Sequence, residues 1–313
     1  MKKQIAITSA IIAATSFSNA EIALTESLSV EGFIDMSWSD LEGAGNNSEV
    51  GIDQVEFDFL FSSGAVSAQV DVEYEEGEDG TNIEQAFVSY DLGNSGAITA
   101  GRMASQLGFE DFEPTGLYQV SNAISTSNLP GYDQGIKYTN GSLGVAIVDG
   151  VNDNRIADNG GYSIEAAYSL ELSEGLNGFL GARLNSEDGA EDTSVYNMYV
   201  TYETGAWLFA AEVAQYNGET SAEDATDYQV MANYSYSDTA SITLRYATNE
   251  LDTMDTSTEP STVETPAGSA ITVAHNLALA DNLALIAELT SFEPDAAGAD
   301  DVLGGAVELL FTF

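Results

Sequence analysis

The chain has no cysteine, a single histidine and only seven lysines and arginines among 313 residues. Without thiols there are no disulfides, no thiolate metal centres and no cysteine nucleophile. With His275 as the sole imidazole, a Ser-His-Asp triad or a multi-histidine metal site has little to draw on. So few cations, set against 51 aspartates and glutamates, exclude nucleic-acid binding, because phosphate contacts depend on lysine and arginine. An acidic surface instead attracts metal cations and repels anions. Part of that acidity is also compatible with life in salt water, where charges are screened over short distances.

A long apolar run is also missing. No stretch approaches the roughly 20 apolar residues that a spanning helix needs, so a helical membrane protein is excluded. A membrane β-barrel is not, because its lipid-facing residues are every second one. The mean hydropathy of -0.07 and the 44% hydrophobic content fit that dilution. The one apolar core, Ile5 to Thr15, follows the basic pair Lys2-Lys3 and precedes the small residues Ser18-Asn19-Ala20. That order predicts a secretory signal over residues 1–20, leaving 21–313 as a single β-barrel domain.

What is present is alternation. Val55, Phe57, Phe59 and Phe61 alternate with Gln54, Glu56 and Asp58. Tyr196, Met198, Val200 and Tyr202 alternate with Asn197, Tyr199 and Thr201, and the same period recurs to the end of the chain. The connections take turns in length. Short ones fall at 62–64, 93–95, 140–142, 173–175, 203–205, 237–239 and 280–282. Long acidic ones fall near 40–50, 76–81, 103–131, 151–160, 186–193, 217–226, 249–267 and 294–302. Seven short and eight long connections join about sixteen strands, with 14 and 18 as neighbouring counts. The fold class is therefore all-β: a transmembrane antiparallel up-and-down barrel with short periplasmic turns and long outer loops. Two strands are ill defined: the facing around Ile98 to Met103 is ambiguous, and Ala270 to Asn276 alternates weakly.

The last residues agree. Val307, Leu309, Phe311 and Phe313 share one face of a strand, while Glu308, Leu310 and Thr312 share the other. Phe311 and Phe313 on a lipid-facing closing strand are what an outer-membrane barrel needs. Tyrosines and the two tryptophans, Trp38 and Trp207, fall mostly near strand ends, where amphipathic rings suit the headgroup level.

A barrel this wide encloses an aqueous lumen. The third outer loop, 105–131, is the candidate constriction, either folded into the lumen or standing on the outer face. Four cations lie in strands: Arg102, Lys137, Arg183 and Arg245. Alternation turns Lys137, Arg183 and Arg245 inward, and the cost of a charge facing lipid, about 2–4 kcal/mol, turns Arg102 inward as well. They either face Glu110, Asp111 and Glu113 across a constriction or neutralise inward carboxylates such as Asp53, Asp58, Asp71 and Asp133.

The run Gly101-Arg102, followed by Gly108-Phe109-Glu110 and Glu113-Pro114, then Gly135-Ile136-Lys137-Tyr138, resembles the OmpL-like β-barrel porins. In that family a Gly-Arg strand end leads into a Gly-aromatic-Glu and Glu-Pro loop, then a Gly-hydrophobic-basic strand. Ala146 to Asn152 is similar to the family's strand ending in an Asn-Gly-like turn. The shared residues lie within 101–152, and the shared organisation extends over most of the chain. The chain departs from the family in carrying fewer basic residues, and in placing Thr115 after Pro114 where a second proline sometimes stands. The resemblance implies passive diffusion of small solutes and ions through an outer membrane, with lipid and lipopolysaccharide as surroundings. By analogy with sixteen-stranded porins, a homotrimer is one candidate assembly.

Cation preference is the expected selectivity, given the excess of carboxylates. No cofactor is expected beyond loosely bound calcium. Acidic runs such as 75–79, or the cluster Asp149, Asp153, Asn154 and Asp158, could hold it, although the EF-hand spacing is absent. The competing class is a secreted all-β adhesin or calcium-binding surface protein, soluble without detergent. An outer-membrane hydrolase would have to use His275.

Overall fold

The computed structural model describes residues 21–41, 47–75, 80–126, 129–149, 161–186, 191–219, 224–250 and 267–313. The expected signal at 1–20, the acidic run at 76–79 and the residues Asp153, Asn154 and Asp158 lie outside the described residues. A two-residue strand β1 (Ile22–Ala23) is followed by β2 (Leu28–Leu41), β3 (Asn47–Ser63), β4 (Val66–Glu75), β5 (Asn82–Asp91) and β6 (Ala97–Ala104). Next come β7 (Tyr132–Asn140), β8 (Leu143–Asp149), β9 (Tyr162–Ser173), β10 (Leu176–Ser186), β11 (Thr193–Thr204) and β12 (Trp207–Asn217). The last five are β13 (Ala225–Ser237), β14 (Ala240–Asn249), β15 (Gly268–Ala280), β16 (Leu283–Pro294) and β17 (Val302–Thr312). From β2 onward each strand pairs antiparallel with the next. β17 then pairs antiparallel with β2, so sixteen strands close into a barrel. All seven expected short turns join consecutive strands where the sequence placed them. No helix among the described residues is long and apolar enough to cross a membrane.

Alternation sorts the two faces. On β12 and β13 the exposed side carries Phe209, Tyr228, Val230 and Tyr234, while Leu208, Glu212, Gln229 and Asn233 are buried inside. An apolar exterior around a polar interior is stable only where the exterior meets lipid. Closure needs no free edge: the register sets Leu310 opposite Asp35 and Phe311 opposite Ile34.

Phe313 seals the seam. Its N–H donates to the Gly32 carbonyl at 3.0 Å and its carbonyl accepts from the Gly32 N–H at 2.9 Å. Its ring lies 5.3 Å from that of Phe57 and 6.0 Å from that of Phe311. A Cβ on Gly32 would sit 2.1 Å from the Glu56 carbonyl and 3.0 Å from the Phe313 ring, which is why glycine stands there. Deleting Phe313 removes both bonds, about 2 kcal/mol together, along with the ring contacts. The expected result is a smaller folded, heat-modifiable fraction on cold SDS gels and a lower thermal midpoint.

Candidate channel interior

The third outer loop enters the barrel. Its neck is closed by the Ser105 N–H donating to the Gly131 carbonyl at 2.8 Å. From there the described part of the loop crosses the inner wall from β9 to β16, held by a succession of inward glutamates. Glu165 on β9 accepts from the Ser105 hydroxyl at 2.7 Å and from the Gln106 N–H at 2.7 Å. Leu107 packs against Ala167, Phe179 and Val195. A Cβ on Gly181 would come within 2.3 Å of Leu107, so that glycine opens the space the loop fills. Glu212 on β12 accepts from the Phe109 N–H at 2.7 Å and from the amides of Asn197 and Gln229. Phe109 and Tyr118 stack over Leu208, Ala210 and Met231. Glu288 on β16 accepts from the N–H groups of Val120 and Ser121 at 2.9 and 3.0 Å.

Arg245 fixes the middle of the loop. Its guanidinium donates to Glu110 at 2.8 Å, to the Ser121 carbonyl at 2.8 Å and to the Asn122 carbonyl at 3.1 Å. Both side chains are almost fully buried, at 3% and 1% exposure. Glu110 also accepts from Gln119 and from the Ala123 N–H. Arg245 therefore closes onto Glu110 directly, with no gap between them.

The other cations lie apart from the acidic loop residues. Arg183 is buried against Asp133, with Glu165 4.0 Å away and Asn185 and Ser163 as further partners. Lys137 shares a small void with Asp133, Ser105 and Glu165. Arg102 donates to the backbone carbonyls of Glu84 at 2.7 Å and Tyr132 at 3.3 Å, and lies 5.9 Å from the centre of the Tyr132 ring. Gly101 before it has φ +139°, yet Thr99 and Met103 on either side are both buried inside. The alternation therefore runs through and sets Arg102 on the face of the exposed Ile98 and Ala100, not inward as expected. The small residues Ala97, Thr99, Ala100 and Gly101 give this strand the little polarity contrast that made its facing ambiguous.

The remaining loop edge is acidic and turns to β3, β5 and β7. Glu113 accepts from the Tyr132 hydroxyl at 2.9 Å and the Gln54 amide at 3.4 Å, and Phe112 packs on the Tyr132 ring at 5.2 Å. Burial raises the Asp111 carboxyl above the ordinary range, with hydrogen bonds from the Phe112 and Glu113 N–H groups opposing it. Burial likewise raises Glu113, opposed by its bonds to Glu84 and Tyr132 and reinforced by the charges of Asp111 and Asp71. Tyr118, buried and near Glu203, is pushed up to about 12.

Facing that edge, the wall of β17 and β2 to β5 presents carboxylates. Asp35, Glu56, Asp58, Asp71, Glu73 and Glu308 are buried on its inner side. Oxygens of Glu56, Asp58 and Asp71 lie within 4.8 Å of one another, as do those of Glu56, Glu73 and Glu84. At an effective dielectric near 20, two unit charges at that distance repel by about 3–4 kcal/mol. The ion pairs of Arg183 and Arg245 lie on the other side of the interior, with β7, β9 and the loop.

A family model described as "Putative beta-barrel porin-2, OmpL-like" matches residues 23–312. The chain belongs to this porin family. Its solved neighbours share the fold at low identity. The anion-selective porin from Comamonas acidovorans is 15% identical, with a TM-score of 0.65 over 92% of this chain and 99% of that one. OmpF of Salmonella typhi, solved in complex with daunomycin, is 13% identical, with a TM-score of 0.65 over 94% and 100%. OmpT of Vibrio cholerae, in a trimer form, is 12% identical, with a TM-score of 0.62 over 91% and 99%. No curated protein sequence matches the chain.

In this porin the sequence offered Arg245 facing Glu110 across a constriction as one of two roles, but not their direct contact. It passed over Glu165, Glu212 and Glu288, the glutamates that hold the loop. Their only signal was an acidic residue at an inward position, which many other positions share. His275 faces outward, its Nε2 2.6 Å from the Tyr236 hydroxyl.

Proposed function

We propose that the protein is a cation-preferring diffusion channel for small hydrophilic solutes and ions across the outer membrane. The observation that carries this is the unequal distribution of charge inside the barrel. Arg183 and Arg245 are consumed in buried ion pairs, whereas the wall of β17 and β2 to β5 and the loop edge at Asp111 and Glu113 keep their carboxylates turned inward. An interior of one sign concentrates counter-ions. The fold itself is neutral on this point, since a neighbour of the same architecture is described as anion-selective. Selectivity therefore follows from the lining side chains. The loop at 105–131 is the constriction, with Asp111 and Glu113 at its open edge, and Arg245 acts as its anchor. Assembly as a homotrimer is proposed on the precedent of the trimeric OmpT form.

Purified protein in a planar bilayer under a potassium chloride gradient tests the proposal. The expected result is stepwise conductance with a reversal potential of the sign set by potassium. A reversal potential of the chloride sign would overturn the selectivity, and silence in the bilayer would overturn the channel.

A further inference from the structure

We propose that Glu56, Asp58 and Asp71, together with Glu73 and Glu84, form a binding site for a hard divalent cation of the calcium class on the inner wall of β3 to β5. Two groups of three carboxylates, Glu56-Asp58-Asp71 and Glu56-Glu73-Glu84, each bring one oxygen per residue within 4.8 Å of the others. Calcium takes oxygen ligands at roughly 2.3–2.6 Å, so oxygens up to about 4.8 Å apart can lie on one coordination sphere. Glu56 belongs to both groups and could bridge two ion positions.

The strand register builds this cluster. Glu56 stands opposite Glu73, and Asp58 opposite Asp71, on the inner face of the β3–β4 pair. Like charges set directly across a strand pair are unfavourable, so two such pairs in succession call for a countercharge. Neutral amides are among the side chains that donate to the cluster. Gln69 and Gln85 donate to Asp71 Oδ2 at 2.9 and 2.8 Å, and Gln54 donates to Glu73 Oε2 at 3.1 Å. Such donors orient ligands without neutralising them.

A second observation points to a ligand. Asp71 is 1% exposed and Asp58 8% exposed, yet Oδ1 of each is buried with no hydrogen-bond partner, as is Oε2 of Glu84. Buried carboxylate oxygens are ordinarily satisfied, and a group left over calls for an ion or a proton. A divalent cation would satisfy the free oxygens and the excess charge together.

The test is calcium binding to the whole barrel in detergent, stripped with EDTA and followed by equilibrium dialysis and by thermal midpoint. The expected result is a saturable class with a Kd on the order of 10⁻⁴ M, in the range of extracellular calcium modules, and a midpoint raised by calcium. Glu56→Gln should weaken this class by more than about tenfold and abolish the calcium-dependent midpoint, while Glu293→Gln, at an exposed site, should bind as the parent does. Asp71→Asn provides the same readout should Glu56→Gln fail to fold. Weak binding by outer-loop carboxylates would persist in every variant. Equal binding by the parent and both site variants, or a midpoint indifferent to calcium, would overturn the proposal and leave shared protons as what neutralises the cluster. Neither readout depends on conductance, so it is separate from the test of the channel.

Discussion

Replacing Arg245 with alanine is expected to lower barrel stability by about 3–5 kcal/mol, the usual cost of leaving one partner of a buried ion pair alone. It is also expected to turn quiet channel openings into larger, noisier ones. Glu110 would keep Gln119 and the Ala123 N–H as donors but lose its ion-pair partner Arg245. The carbonyls of Ser121 and Asn122 would lose their donors in the same step. Glu165, Glu212 and Glu288 still hold the loop at other points, so it should sample detached positions without leaving the lumen altogether. The double variant Arg245→Met/Glu110→Gln removes both charges and should recover much of the stability. Thermal unfolding of the single and double variants, paired with single-channel recordings, checks both effects. An alanine variant with parental midpoint and parental conductance would show that Arg245 does not anchor the loop.

The barrel was legible in the sequence because its signals are local and repeated. Each short turn sits between two segments of period two, and the lipid-facing members of those segments, such as Phe57, Phe59 and Phe61, remain exposed in the structure. β15 alternated weakly for a reason that is now visible. Its inward residues Ala270, Thr272, Ala274 and Asn276 are small, with Asn276 donating to the Tyr118 carbonyl of the loop. Polarity contrast gives way there to the space that a loop needs. Gly181 plays the same part beneath Leu107.

The interior was far less legible. An inward glutamate that binds loop amides, such as Glu212, cannot be told by type or spacing from one in the crowded cluster, such as Glu56. What separates them is a partner more than 100 positions away, as with Glu212 and the Phe109 N–H. Cations show the same limit. Of the two roles open to them, Arg183 sits on Asp133, one of the inward carboxylates, and Arg245 sits on Glu110 from the loop. Alternation fixed the face in both cases, but the choice of partner came from the path of the loop.

Selectivity should respond most to carboxylates that lie on the acidic wall but outside the proposed cation site. Asp35 and Glu308 meet that condition: both face inward on the adjacent strands β2 and β17. A unit charge about 8 Å from a passing monovalent cation attracts it by about 0.5–2 kcal/mol between aqueous and partly buried dielectric limits. Removing one charge should thus lower local cation enrichment by about twofold to thirtyfold. The pair Asp35→Asn/Glu308→Gln is expected to move the reversal potential toward zero, and Asp35→Lys/Glu308→Gln should move it further, toward the chloride sign. The thermal midpoint of the amide pair should rise, since two like charges on neighbouring strands are relieved. At 1 M salt the Debye length shrinks to about 3 Å, so parent and variants should converge there if the effect is electrostatic. Reversal potentials unchanged at low salt would remove this part of the wall from the selectivity mechanism and leave the loop edge at Asp111 and Glu113 to carry it.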